Sequence, residues 1–116
     1  MIEMQLKTIK VNDTGDRQYI GLSEKDGERV LTIVIGYQEV QAIKRGVHGT
    51  KLERPLTHDF VNNVLEATDC KLQRVDITEL RDGTFYALVR LERPDGTVAE
   101  IDARPSDAIA LASMQH

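Results

Sequence analysis

Two short stretches of the chain carry residue types suited to holding and hydrolysing a phosphate ester. One is Arg54-Pro55-Leu56-Thr57-His58-Asp59; the other is Asp102-Ala103-Arg104-Pro105-Ser106-Asp107. Each places Arg-Pro just ahead of a helical pattern and an acidic residue in its first turn. The first N–H groups of a helix have no partner inside it, so they face an anion readily. An adjacent guanidinium adds a forked donor that matches phosphate. If the two helix starts converge, Arg54, Arg104 and Ser106 bind phosphate, and His58, Asp59 and Asp107 supply the catalytic groups. Asp102 and Asp107 would then recruit Mg²⁺ or another divalent cation to steady the in-line displacement.

Plainer readings stand beside this one. Asp59 and Asp107 suit helix caps, where the dipole and free N–H groups favour a carboxylate. His58 suits a surface hydrogen bond. Arg54 and Arg104 suit ion pairs that staple the helices together. Ser106 lacks an identifiable base. Cys70 is the chain's one cysteine, so it forms no internal disulfide and completes no metal motif. It reads as a small residue near a strand start. His48 and His116 read as solvent histidines. Phe85-Tyr86 offers rings that could stack on bases, but core packing is the simpler expectation. P-loop, dinucleotide, HExxH, CxxC and EF-hand patterns are all missing from the sequence.

The elements that must position these residues follow from periodicity. Residues 2–11 read as a strand whose apolar phase changes near Lys7-Thr8, the mark of a bulge. Residues 12–16 have turn chemistry, 17–23 form a second strand, and Lys25-Asp26-Gly27 marks a hairpin. The apolar run 29–35 reads as a central strand covered on both faces. A helix spans 37–46, with Val40 and Ile43 facing inward, and Gly46 and Gly49 break it. Thr57 reads as the N-cap of a helix over 58–68, with Phe60, Val61, Val64 and Leu65 as its buried stripe. Strands follow at 71–80, 85–92 and 97–103. A last, wholly apolar helix opens with Pro105 at its first position. Asp107 is expected to cap it.

The order is βββ-α-α-βββ-α. Ile35-Gly36 with Ala42-Ile43 matches Ile101-Asp102 with Ala108-Ile109 at the same offset. This predicts an α+β fold of duplicated β3-α units with mainly antiparallel sheet around one core, and a single domain over 1–116. A length of 116 residues favours one domain and one core without staples. A net charge of −4 weighs against strong non-specific binding to a polyanion, though not against a local basic site. With no apolar run able to span a bilayer and no signal-peptide core, the expected location is the cytoplasm, away from membrane.

RPLTHDF (54–60), DGTFYALV (82–89) and IDARPSDAIALA (101–112) resemble the signature blocks of the bifunctional nuclease domain family. VLTIVIGYQEVQAI (30–43) is similar to that family's strand and IGxxE helix, which makes Glu39 the acidic residue there. The resemblance implies a duplicated β3-α fold, a homodimer or higher homo-oligomer, and hydrolysis of phosphodiester bonds in RNA and DNA. The family's members usually run on beyond the corresponding last helix, so this chain is expected to be a short member or to lack part of that tail. The alternative function is a non-catalytic module that binds a small anionic ligand or a protein partner.

Overall fold

The computed structural model describes residues 18–115 in full and residues 4–10 as backbone. The turn expected at 12–16 and His116 lie outside the described residues. The first sheet contains β1 (Met4–Lys10), β2 (Gln18–Glu24) and β3 (Val30–Ile35), in that order and antiparallel. The register shifts between Leu6 and Thr8, where the sequence changes phase. Ile20 and Leu22 of β2 and Ile33 and Ile35 of β3 share its inner face and are buried.

β3 is a correction to the sequence reading. It lies at the edge of the sheet, not the centre, and its burial alternates. Val30 and Val34 on the outer face are each 56% exposed. An unbroken run of β-branched residues satisfies strand propensity on both faces whether or not anything covers them.

Helix α1 (Tyr37–His48) follows directly. Val40, Ala42 and Ile43 seal it to the sheet. Gly46 does not break the helix as expected; it lies inside it, against α3. A Cβ there would sit 2.7 Å from the Ser113 carbonyl carbon, so the glycine permits a close helix crossing. The stop comes at Gly49, whose φ of 68° suits a left-handed C-cap.

Helix α2 (Thr57–Ala67) departs from expectation twice. Its N-cap is Leu56, not Thr57, because the Asp59 carboxylate accepts the Leu56 backbone N–H at 2.9 Å. Its buried stripe shrinks to Leu65; Phe60, Val61 and Val64 are substantially exposed. Helical spacing named an apolar face correctly but not what covers it.

The second sheet contains β4 (Lys71–Arg81), β5 (Thr84–Glu92) and β6 (Val98–Ala103), again antiparallel and in chain order. Ala87, Val89 and Leu91 form its buried face. Cys70, just before β4, is half-buried, and Phe85 packs on the first core cluster rather than standing free. On the opposite face, Arg74 and Arg90 both bind Asp76, and Arg90 reaches Glu100.

Helix α3 (Pro105–Ser113) joins the halves. Ile109, Ala110 and Met114 pack with α1 and the first sheet, while Ala108 and Leu111 pack with Leu65 and the second. The core is therefore two clusters bridged by one helix, not one undivided cluster. That is why this helix is apolar on every side, and why its polar start falls between the two halves. The fold is α+β with antiparallel sheets, and no helix among the described residues is long and apolar enough to cross a membrane.

Candidate functional site

The two Arg-Pro helix starts come together, but through His58 and Asp107 rather than through their arginines. Nε2 of His58, in the first turn of α2, lies 2.8 Å from Oδ1 of Asp107, in the first turn of α3. Arg104 is the N-cap residue of α3. Its Nε donates to Asp107 Oδ2 at 2.8 Å, and its terminal NH2 nitrogen donates to Asp107 Oδ1 at 3.1 Å. The same nitrogen reaches Glu39 Oε1 of α1 at 2.7 Å. A continuous polar chain, Glu39–Arg104–Asp107–His58, thus ties all three helices.

Local sequence explains each member. Pro105 starts α3 and holds Arg104 outside the helix in extended backbone, with φ −71° and ψ 144°. Gly36 lets Glu39 fold back over its own helix start, since a Cβ there would collide with the Glu39 carboxylate. Asp107 does not cap backbone N–H groups as expected. Arg104 and His58 compete for its oxygens at shorter range and with charge, which makes stronger bonds.

Burial pushes the Asp107 carboxyl up, but the hydrogen bonds from Arg104 and His58 and the Arg104 charge outweigh it. The net position is below the usual carboxylate value, so Asp107 is ionised at neutral pH. Asp107, and then Glu39, hold the Arg104 guanidinium further above its ordinary value. An ionised Asp107 accepts from a protonated Nε2, which leaves Nδ1 of His58 as the acceptor nitrogen in the neutral ring. Nδ1 has no hydrogen-bond partner among the described residues. Arg104 stays 66% exposed, and its second terminal nitrogen is likewise unpaired.

The other candidates fall elsewhere. Asp59 caps the start of α2 and pairs with Arg45 of α1 at 3.1 Å. Arg54 is exposed on the preceding loop, with no partner among the described residues. Ser106 is buried. Asp102 is an exposed residue of β6, opposite Leu88. Among the described residues no group of three His, Cys, Asp or Glu side chains is placed to hold a metal ion. Both Asp107 oxygens are already taken by cationic or hydrogen-bonding side chains, so the donor set does not fit a resident divalent cation.

Glu39 and Arg45 carry the site without having been given roles from sequence. Glu39 stood out only through its place in the IGxxE pattern, and Arg45 sits mid-helix with no local signal. Arg45 lines a cavity of about 310 Å³ between the end of α1 and α2, and its Nε is buried without a partner among the described residues.

Taken together, the fold is a small α+β unit in which an ionised aspartate, a histidine and a half-open arginine meet where three helices converge. The model of the bifunctional nuclease domain matches residues 20–116, and the chain belongs to that family. It is also 36% identical over 112 residues to an uncharacterized protein found in two strains of Mycobacterium tuberculosis. The match covers 97% of this chain and 66% of the mycobacterial protein, so the chain spans just under two thirds of that relative's length.

Proposed function

We propose that this domain hydrolyses phosphodiester bonds in RNA and DNA, with His58 and Asp107 as the proton-handling pair and Arg104 as the phosphate donor. The observation that carries the reading is the 2.8 Å contact between His58 Nε2 and the ionised Asp107, beside an outward-facing guanidinium. Asp107 orients the ring by accepting from Nε2. Nδ1 accepts a proton from the attacking water, the new P–O bond forms, the bond to the leaving oxygen breaks, and the proton on Nδ1 passes to that oxygen, which restores the neutral ring. Arg104 offsets the charge that builds on the phosphoryl oxygens. Asp59 acts indirectly, by fixing the start of α2 and so the position of His58. The family's description supports the reaction class.

A second reading is a non-catalytic module for a small anion or a protein partner. It is favoured by the grip of Glu39 and Asp107 on Arg104, which also makes sense as a helix staple. Cleavage of single-stranded RNA and DNA by purified protein, with and without chelator, separates the two. The nuclease reading expects cleavage that persists in chelator and falls about 10²- to 10⁴-fold in His58→Ala with the fold intact. Cleavage equal in wild type and His58→Ala would remove the assignment.

A further inference from the structure

The cavity beside this site is lined by groups of three kinds. Arg45, in the last turn of α1, and Lys51, in the loop just beyond it, are cations, and the Thr50 N–H folds that loop back onto the Arg45 carbonyl. Leu52, Pro55 and Met114 make an apolar wall. Asn62, Asn63 and Glu66 project from α2. The volume, about 310 Å³, is at the lower end of the range for small-molecule sites.

Arg45 is the informative member. Its side chain is only 12% exposed, yet among the described residues it makes a single hydrogen bond, from NH2 to Asp59. Among the described residues Nε is sealed and unpaired; NH1 is also unpaired there but does not share that seal. A guanidinium so far removed from water with one partner among the described residues is under-satisfied; an acceptor placed at NH1 adds a second partner, while the sealed Nε stays unpaired. Asp59 supplies one negative charge but spends the same oxygen on the Leu56 N–H. Asn62 is oriented too: its carbonyl oxygen accepts from Gln115 Nε2 at 2.9 Å, which turns its NH2 group free. Glu66 lies two helical turns beyond Asp59, about 10 Å along the axis.

We propose that this cavity binds one nucleotide unit. Arg45 and Lys51 take its phosphate, the apolar wall takes a base face, and Asn62, Asn63 and Glu66 take base-edge donors and acceptors. The proposal rests on the phosphodiester reading of the His58–Asp107 pair; Asp59, which lines the cavity, directly follows His58 in α2.

The test is equilibrium binding to the full chain, followed by backbone NMR shifts and calorimetry. The probes are each of the four 5′-mononucleotides, inorganic phosphate and a nucleoside. The expected result is mononucleotide binding with shifts at residues 45–52 and 62–66, at least 10-fold tighter than phosphate or nucleoside. Lys51→Gln and Asn63→Leu, both at exposed positions, each weaken it several-fold, and Arg45→Gln weakens it 10-fold or more. Three results overturn the proposal: no mononucleotide binding, binding as tight for phosphate alone, or binding indifferent to both exposed substitutions. Binding without cleavage sinks the nuclease reading and leaves the subsite standing. Cleavage without mononucleotide binding does the reverse.

Discussion

His58 Nε2 lies 2.8 Å from Asp107 Oδ1, although 49 residues separate the two in the chain. The contact joins the first turn of α2, which packs in the second cluster, to the first turn of α3, which bridges both. α3 contributes to both hydrophobic clusters, so its polar start is fixed by packing on two sides. α2 is anchored there by Leu65 and held at its own start by Asp59. The geometry of the pair is thus determined by apolar burial elsewhere, which is how a rigid site is obtained from short side chains.

Asp107→Asn keeps the shape of this contact and removes the charge that orients His58. An amide can donate to Nε2 and select the wrong tautomer. We expect at least a 10²-fold loss of cleavage and an altered pH-rate profile, with near-native circular dichroism. A purely structural Asp107 would instead lower melting temperature while leaving the pH-rate profile of the remaining activity unmoved.

Acid should weaken the fold through the same residue. The folded-state pKa of Asp107 is depressed, and so is that of buried Asp76, where the Arg90 hydrogen bond outweighs burial. Stability from a depressed carboxyl is complete above its unfolded value, about 3.9, and is lost as pH falls through the lower folded value. Melting temperature should therefore drop steeply below about pH 4. The drop should be shallower in Asp76→Asn and Asp107→Asn, each measured from its own neutral-pH value. Parallel curves for wild type and both variants would refute the linkage.

Arg104 is held on one side and open on the other, so its variants should separate charge from geometry. Arg104→Lys retains charge but loses the fork that spans Glu39 and Asp107. It should recover little of the activity lost in Arg104→Ala, which we place at about 10²- to 10³-fold in kcat. Gly36→Ala tests the same alignment from a distance, because its methyl group displaces the Glu39 carboxylate. Kinetics on the three variants should show Gly36→Ala intermediate. Full activity in Arg104→Lys would mean that the fork is irrelevant.

Much of the fold was legible because its signals are local. The bulge near Lys7, Pro105 at a helix start and Gly49 at a helix end each follow from one or two residues. What the sequence concealed is relational. Val30 and Val34 look the same on an edge strand as on a central one, and Phe60 looks as buried as Leu65 until the neighbours are known. The site divides the same way. The two helix starts announced themselves by composition. The partners Glu39 and Arg45 emerge only when α1 is laid against α3 and α2, and the exposure of Asp102 and Arg54 needed the same information.

The two faces of α2 should respond oppositely to truncation. Leu65 is 8% exposed and Phe60 is 61% exposed. Leu65→Ala removes buried methyl groups and should cost about 2–5 kcal/mol in urea unfolding. Phe60→Ser should change stability of the isolated chain by no more than about 0.5 kcal/mol. A large loss in Phe60→Ser that depends on protein concentration would show that this face is covered in a homo-oligomer, as the family resemblance implies.

Gly46 offers the sharpest test of how the halves are joined. Its backbone meets α3 so closely that a Cβ would lie 2.7 Å from the Ser113 carbonyl carbon, with the Ser113 Cβ at 2.8 Å. In an exposed helix interior, Gly→Ala stabilises by up to about 1 kcal/mol, since alanine favours the helix. Here the added methyl group must push two helices apart. The crossing it disturbs seats Val40, Ile43 and Met114 in one cluster. Overpacking of this kind costs about 1–3 kcal/mol, so the net sign should be destabilising. The displacement should also reach Glu39 and Arg104, because the same two helices carry them, and cleavage should fall with stability. A Gly46→Ala protein that melts at or above the wild-type temperature would mean that α1 and α3 have room to spare, and that the site is held by its ion pairs rather than by the packing beneath it.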